Sequence, residues 1–286
     1  MLKIGLILFS VRDEMKKDPL GTIEKVGQIG YRFVELCNHN AVADPGCGFG
    51  VPAKDLRETM DRMGVRAVSA HIGQLEKADL DAVIAYHQAV GNPNLVIAMD
   101  GCPTYDEMMQ KIEFIQRTGV YLKERGMHLV YHNHHEEFRT YNGKTVLDHI
   151  LDNSDPDILG LEMDTFWVMR AGLNPVDMIK KYGKRICLLH QKDFAWDALA
   201  PINLIGISEE ERMGKPEVGN DGSWSDYVEI GDGIMHIQEI IDAAIEYTNA
   251  EYMFLEQDFT RMKTQIDSIA RSMESFRKFN NIIWND

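Results

Sequence analysis

Short apolar runs alternate with helix-patterned segments along nearly the whole chain, and no other feature restricts the fold as much. The runs are Lys3–Phe9, Phe33–Cys37, Arg66–His71, Asn94–Asp100, Leu129–His134, Ile158–Asp164, Arg185–His190 and Tyr252–Glu256. Rich in Ile, Leu and Val, they carry the pattern of parallel strands buried on both faces. Helix patterns fill the intervals: Pro19–Ile29 closing on Gly30, Ala53–Met63, Ala78–Val90, Tyr105–Arg125, Lys144–Leu151, Asn174–Tyr182 and Thr264–Phe279. Asn174 ahead of Pro175 marks a helix start. Eight such units in series predict an α/β fold, a (β/α)8 TIM barrel, as one domain over residues 1–286. A doubly wound open sheet is the alternative, but no G-x-G-x-x-G follows the first run.

One unit departs from the pattern. Between Asp193 and a helix beginning near Met235, residues 194–234 show little periodicity. A long insert after the seventh strand hangs over the carboxyl face of a barrel, where it reads as a lid or a docking element, with a plain surface loop the equal alternative. It carries Trp196, Leu199, Ile202, Leu204, Ile205, Ile207 and Trp224, apolar surface that has to pack on the rim, on a ligand or on a partner.

The last four runs end in residues able to bind a metal. Glu162 and Asp164 share a strand face, as do His190 and Lys192, and Glu256 and Asp258. One acid at a strand end reads equally well as a cap, and Asp164 before Thr165 could serve only that purpose. Four consecutive strands ending this way point to one shared site at the carboxyl face. Carboxylates with an imidazole and no cysteine suit Mn²⁺, Mg²⁺, Co²⁺ or Zn²⁺ and leave positions for substrate oxygens. His132 and His134 share a face of the fifth strand, fit to move protons or position a substrate; a hydrogen-bonded core role is the other reading.

Composition narrows the partners. A net charge of −15 over 286 residues argues against nucleic acid. Cys37, Cys47, Cys102 and Cys187 lack C-x-x-C spacing, as expected in a reduced, cytoplasmic setting. The apolar start precedes no cleavage site, and no run has the roughly 20 apolar residues of a membrane helix.

The phrases Tyr-His-Asn-His-His-Glu-Glu-Phe at 131–138, Leu-Glu-Met-Asp-Thr at 161–165, Leu-His-Gln-Lys-Asp at 189–193, Glu-Ile-Gly-Asp-Gly at 229–233 and Leu-Glu-Gln-Asp at 255–258 stand in this order. Together they resemble the xylose isomerase-like sugar phosphate isomerase/epimerase superfamily. The resemblance implies one divalent metal, commonly manganese, on Glu137, Asp164, His190 and Glu256. It implies enediolate chemistry on a sugar or sugar conjugate, with His132 or His134 as acid/base and Lys192 holding a substrate oxygen. The carboxylates, Glu137 and Glu256 among them, are the alternative acid/base groups. Within the superfamily the chain looks most like catalytic subunits of C-glycoside deglycosidases and related 3-oxo-glycoside lyases, which work with a small β-rich second subunit. An oligomer is expected as well. Two competing readings are a metal phosphodiesterase resembling the endonucleases of this barrel and a non-catalytic sugar-binding barrel.

Overall fold

The computed structural model describes residues 1–98, 104–205 and 222–284. Eight parallel strands lie side by side: β1 (Leu2–Ile7), β2 (Phe33–Asn38), β3 (Arg66–Ile72), β4 (Asn94–Ile97), β5 (His128–His132), β6 (Leu159–Asp164), β7 (Ile186–Gln191) and β8 (Tyr252–Leu255). β8 pairs with β7 from Tyr252↔Leu188 to Leu255↔Gln191, and with β1 from Lys3↔Tyr252 to Leu6↔Leu255. The sheet is therefore closed, and the (β/α)8 barrel expected from the sequence is the fold. The fourth run was expected to reach Asp100; the strand stops at Ile97, and residues 99–103 lie outside the described residues.

Pro19–Ile29 and Ala53–Met63 form with the expected bounds. The other expected helices are observed as Leu80–Val90, Tyr105–Lys123, Val146–Asp152, Pro175–Tyr182 and Gln265–Phe276, the one expected near Met235 runs Ile237–Tyr247, and Arg12–Lys17 and Thr165–Arg170 are two further short helices. Four of the expected helices start late because the residue read as helical is the cap or precedes it; for Val146–Asp152 the cap is Thr145, whose Oγ1 accepts from Asp148 N at 3.0 Å. Asp79 Oδ1 accepts from Ala82 N at 3.1 Å, Asn174 Oδ1 from Val176 N at 2.8 Å and Thr264 Oγ1 from Asp267 N at 3.0 Å. No described helix is long and apolar enough to cross a membrane.

The main core lies between strands and helices. A second, smaller cluster joins Phe33, Val68, Val96, Val130, Leu188 and Phe254. Val130, Leu188 and Phe254 stand two residues before His132, His190 and Glu256, so they face the same interior from a lower level. Gly5 on β1 leaves room for the Phe254 ring, which a Cβ there would overlap.

The ends of the insert are anchored. Asp193–Phe194 pairs antiparallel with Tyr227–Val228. Arg170, fully buried, meets Asp226 Oδ2 at 2.9 Å and donates to the Pro201 carbonyl at 3.0 Å. The Asp193 carboxylate accepts the backbone N–H groups of Gly231, Gly233 and Met235 at 2.9, 3.1 and 3.0 Å. The Gly-rich segment at 229–233 thus fastens the chain beyond β7. Of the apolar insert residues, Leu204 is buried and Ile205 half-buried, whereas Trp196, Leu199, Ile202 and Trp224 are exposed. Ile207 lies outside the described residues.

Candidate metal centre

The period of two that places an apolar plug low in the barrel places two polar tiers above it. The lower tier centres on Glu162 of β6. Its Oε2 lies 2.9 Å from His71 Nε2, 3.1 Å from His132 Nδ1 and 3.3 Å from His190 Nε2. Glu35 of β2 adds Oε1 at 2.8 Å from His190 Nε2 and 3.4 Å from His71 Nε2, and its other oxygen accepts from the Ser69 hydroxyl.

The upper tier joins Asp164, Lys192, Glu256 and Asp258. Lys192 Nζ stands 3.0 Å from Asp164 Oδ2, 2.7 Å from Glu256 Oε2 and 3.3 Å from Asp258 Oδ2. His190 connects the tiers, its Nδ1 lying 2.9 Å from Glu256 Oε2. His132 also spans them, with Nε2 3.9 Å from Asp164 Oδ2. Asp164 fills both roles that its sequence position allows: Oδ1 accepts from Trp167 N at 3.0 Å and caps the next helix, leaving Oδ2 to face the site.

Burial and charge act against each other here. Burial raises Glu35 to about 7, helped by the charge of Glu162. Burial would raise Glu162 too, but His190, His132 and His71 hold it well below the usual carboxylate range. For His190 burial favours the neutral ring, and Glu162, Glu35 and Glu256 overcome it and push its pKa well up. Lys192 is likewise raised, against burial, by Asp164, Asp258 and Glu256. Asp258 is raised to about 6 by burial. His134, half-buried, is lowered to about 3 by desolvation and by the charge of Lys192.

Two overlapping sets have ligand atoms all within 4.8 Å of one another: His132, Asp164, His190 and Glu256, and His71, His132, Glu162 and His190. The upper set, two imidazoles and two carboxylates, fits a divalent Mn, Co or Zn ion. Among the described residues Glu162 Oε1 is buried with no hydrogen-bond partner, which is costly to an ionised acid and suited to a nearby cation.

Above the tiers opens a cavity of about 860 Å³. His71, His132, His134, Lys192, Glu256 and Asp258 line its base. Phe9, Phe114, Trp167, Tyr227 and Phe259 supply aromatic walls, with Arg12 among them.

Asp164, His190 and Glu256 therefore come together as the sequence suggested, with Lys192 between the carboxylates and His134 on the cavity wall. Glu137 does not join them. β5 ends at His132, and a 3₁₀ turn over Glu136–Phe138 carries the chain off the barrel axis. The buried Glu137 carboxylate turns back, accepting from Tyr131 Oη at 2.6 Å and His134 N at 2.8 Å. His132 stands where the strand-five ligand was expected. Sequence reasoning passed over Glu35 and His71, although a Glu inside the apolar run Phe33–Cys37 and an imidazole closing Arg66–His71 were visible signals.

The family model for the xylose isomerase-like TIM barrel matches residues 23–279. An inosose dehydratase of Bacillus anthracis is 24% identical over 137 residues, 48% of this chain and 42% of the relative. The matched stretch is thus less than half the length of that curated relative. Among solved structures, a sugar phosphate isomerase/epimerase from Parabacteroides distasonis superposes with a TM-score of 0.74 at 21% identity, covering 96% of this chain and 92% of the other. An IOLI protein with a bound zinc atom gives 0.68 at 14% identity, covering 96% of each chain.

Proposed function

This chain belongs to the xylose isomerase-like TIM barrel family, and from that premise we propose a divalent-cation-dependent enzyme that removes a proton beside a sugar carbonyl. Asp164, His190 and Glu256 hold the cation, with His132 beside them. When bound, it supplies a Lewis acid for a carbonyl and a neighbouring hydroxyl, acidifying the adjacent C–H and stabilising the enediolate charge. Mn²⁺ is the ion we expect. His134, which lines the cavity, takes the proton. Lys192 holds a substrate oxygen and keeps Asp164 and Glu256 oriented.

The observation that carries the finer reading is the cavity. A free sugar presents hydroxyls on most sides, whereas this space has five aromatic side chains in its walls. The substrate is a 3-oxo-glycoside with an aromatic aglycone, and the reaction is a β-elimination. The C2–H bond breaks to the base, C1=C2 forms, and the C1–aglycone bond breaks with its electron pair, the aglycone taking a proton from the protein. Dehydration of an inosose, named for the curated relatives, is likewise an elimination. Exposed Trp196 and Trp224 on the insert offer a face for a small β-rich second subunit.

The test incubates the Mn²⁺-loaded chain, alone and co-expressed with its genomic neighbour, in D₂O with such a glycoside and with free ketoses. Aglycone release is expected, with solvent deuterium entering glycoside recovered before turnover is complete. Exchange or interconversion of free ketoses without aglycone release would replace the lyase reading with an isomerase or epimerase.

A further inference from the structure

The proposed cation occupies the upper tier and leaves the lower one unexplained. Three ring nitrogens, from His71, His132 and His190, surround one oxygen of Glu162 at 2.9, 3.1 and 3.3 Å. Ligands about 2.0–2.1 Å from a tetrahedral ion stand about 3.3 Å apart, so these spacings approach those of a coordination shell. The rings enclose the position from three sides. Ring centroids lie 4.7 Å apart for His71–His132 and His132–His190 and 5.4 Å for His71–His190. Glu162, Glu35, His132 and His190 are each 1% exposed or less, and no lysine or arginine makes an ion pair with either lower carboxylate among the described residues. The second oxygen of Glu162 is buried without a hydrogen-bond partner among the described residues. Three imidazoles, one carboxylate and a second carboxylate alongside form a nitrogen-rich donor set unlike the oxygen-rich tier above.

We propose that the barrel floor binds a second divalent cation, on His71 Nε2, His132 Nδ1, His190 Nε2 and Glu162, beneath the one assigned to Asp164, His190 and Glu256. Nitrogen-rich coordination favours Zn²⁺ or Co²⁺ there, whereas the carboxylates above suit Mn²⁺. His190 serves both sites, one nitrogen each, after its ring gives up both protons to solvent. The floor cation lies on the opposite side of the shared His190 ring from the upper one and fixes where that ring points.

The inference rests on the proposed upper cation, and elemental analysis of the whole protein separates the two. Chelator-treated protein is reloaded with Co²⁺ and dialysed, and bound metal is counted for the wild type and for Glu162→Gln, His71→Asn and Asp164→Asn, with unfolding curves confirming that each variant folds. Two equivalents are expected in the wild type and one in each variant. The visible band of a four-coordinate nitrogen-rich Co²⁺ site should be lost from Glu162→Gln and His71→Asn but kept in Asp164→Asn. A single equivalent in the wild type, or a full load in either floor variant, would overturn the second site. If Asp164→Asn alone loses metal, the floor inference falls and the proposed function stands; if only the floor variants lose metal, the upper assignment fails instead.

Discussion

Phe254 and Glu256 stand two residues apart at the end of β8 and face the same interior, yet they belong to different kinds of core. Around Phe254 six of the eight strands contribute apolar side chains, and the cluster excludes water. Around Glu256 the ends of β5 to β8 contribute carboxylates, imidazoles and an ammonium, and each charge is held by the others. One geometric rule, a side chain inward at every second position, builds both. The plug holds the barrel together by dispersion and desolvation, whereas the polar tiers are strained by burial and gain from anything that neutralises them. Stability and function are thus assigned to two levels of the same strands.

That division can be broken most sharply at its polar end. His134→Gln should lower the rate of solvent deuterium exchange into substrate by roughly 10²–10⁴-fold, as for a lost general base, with little change in the unfolding midpoint. Phe254→Ala should do the opposite. It opens the plug and costs about 3–5 kcal/mol in urea unfolding, while a folded sample keeps its full cation load. A Phe254→Ala protein of normal stability, or one unable to bind metal, would show that the two levels are not separable.

The contrast extends to buried histidines. His190 sits among carboxylates and is raised; His87, buried at the end of Leu80–Val90 with only the more distant charge of Asp44 to favour its protonated form, is lowered by burial to about 4. Its folded value lies below the unfolded one, so the unfolded chain takes up the proton first as pH falls. Stability present above pH 6.5 is therefore lost down to about pH 4, by roughly 3 kcal/mol. His87→Gln should flatten that part of the stability profile; an unchanged profile would remove His87 as its source. A smaller effect is expected at a helix start. Asn174→Ala, which removes the acceptor for Val176 N and Asp177 N, should cost about 1 kcal/mol without touching metal content.

The barrel was legible because its evidence is periodic. Strand runs such as Ile186–Leu189 are continuous apolar stretches, and Pro175 or Gly30 sets a boundary through its own backbone preference. The upper tier was legible for the same reason, since Asp164, His190 and Glu256 occur at equivalent strand ends. What escaped was set by direction rather than spacing. Glu137 lies within a few residues of the right level, but the turn after His132 aims it behind the strand at Tyr131. Glu35 sits one level lower on β2, and nothing local announces that it meets His190, 155 residues away in sequence. Such contacts exist only once the ring is closed.

Water-proton relaxation of the Mn²⁺-loaded protein tests the central claim most directly, because it senses a cation with a position open to exchanging solvent. The wild type should strongly enhance relaxation, and a bound keto sugar should lower the enhancement by occupying the open position. Asp164→Asn should sharply lower it, since the upper cation then loses a carboxylate ligand. No enhancement in the wild type, or undiminished enhancement in Asp164→Asn, would contradict a cation held at the carboxyl end of this barrel.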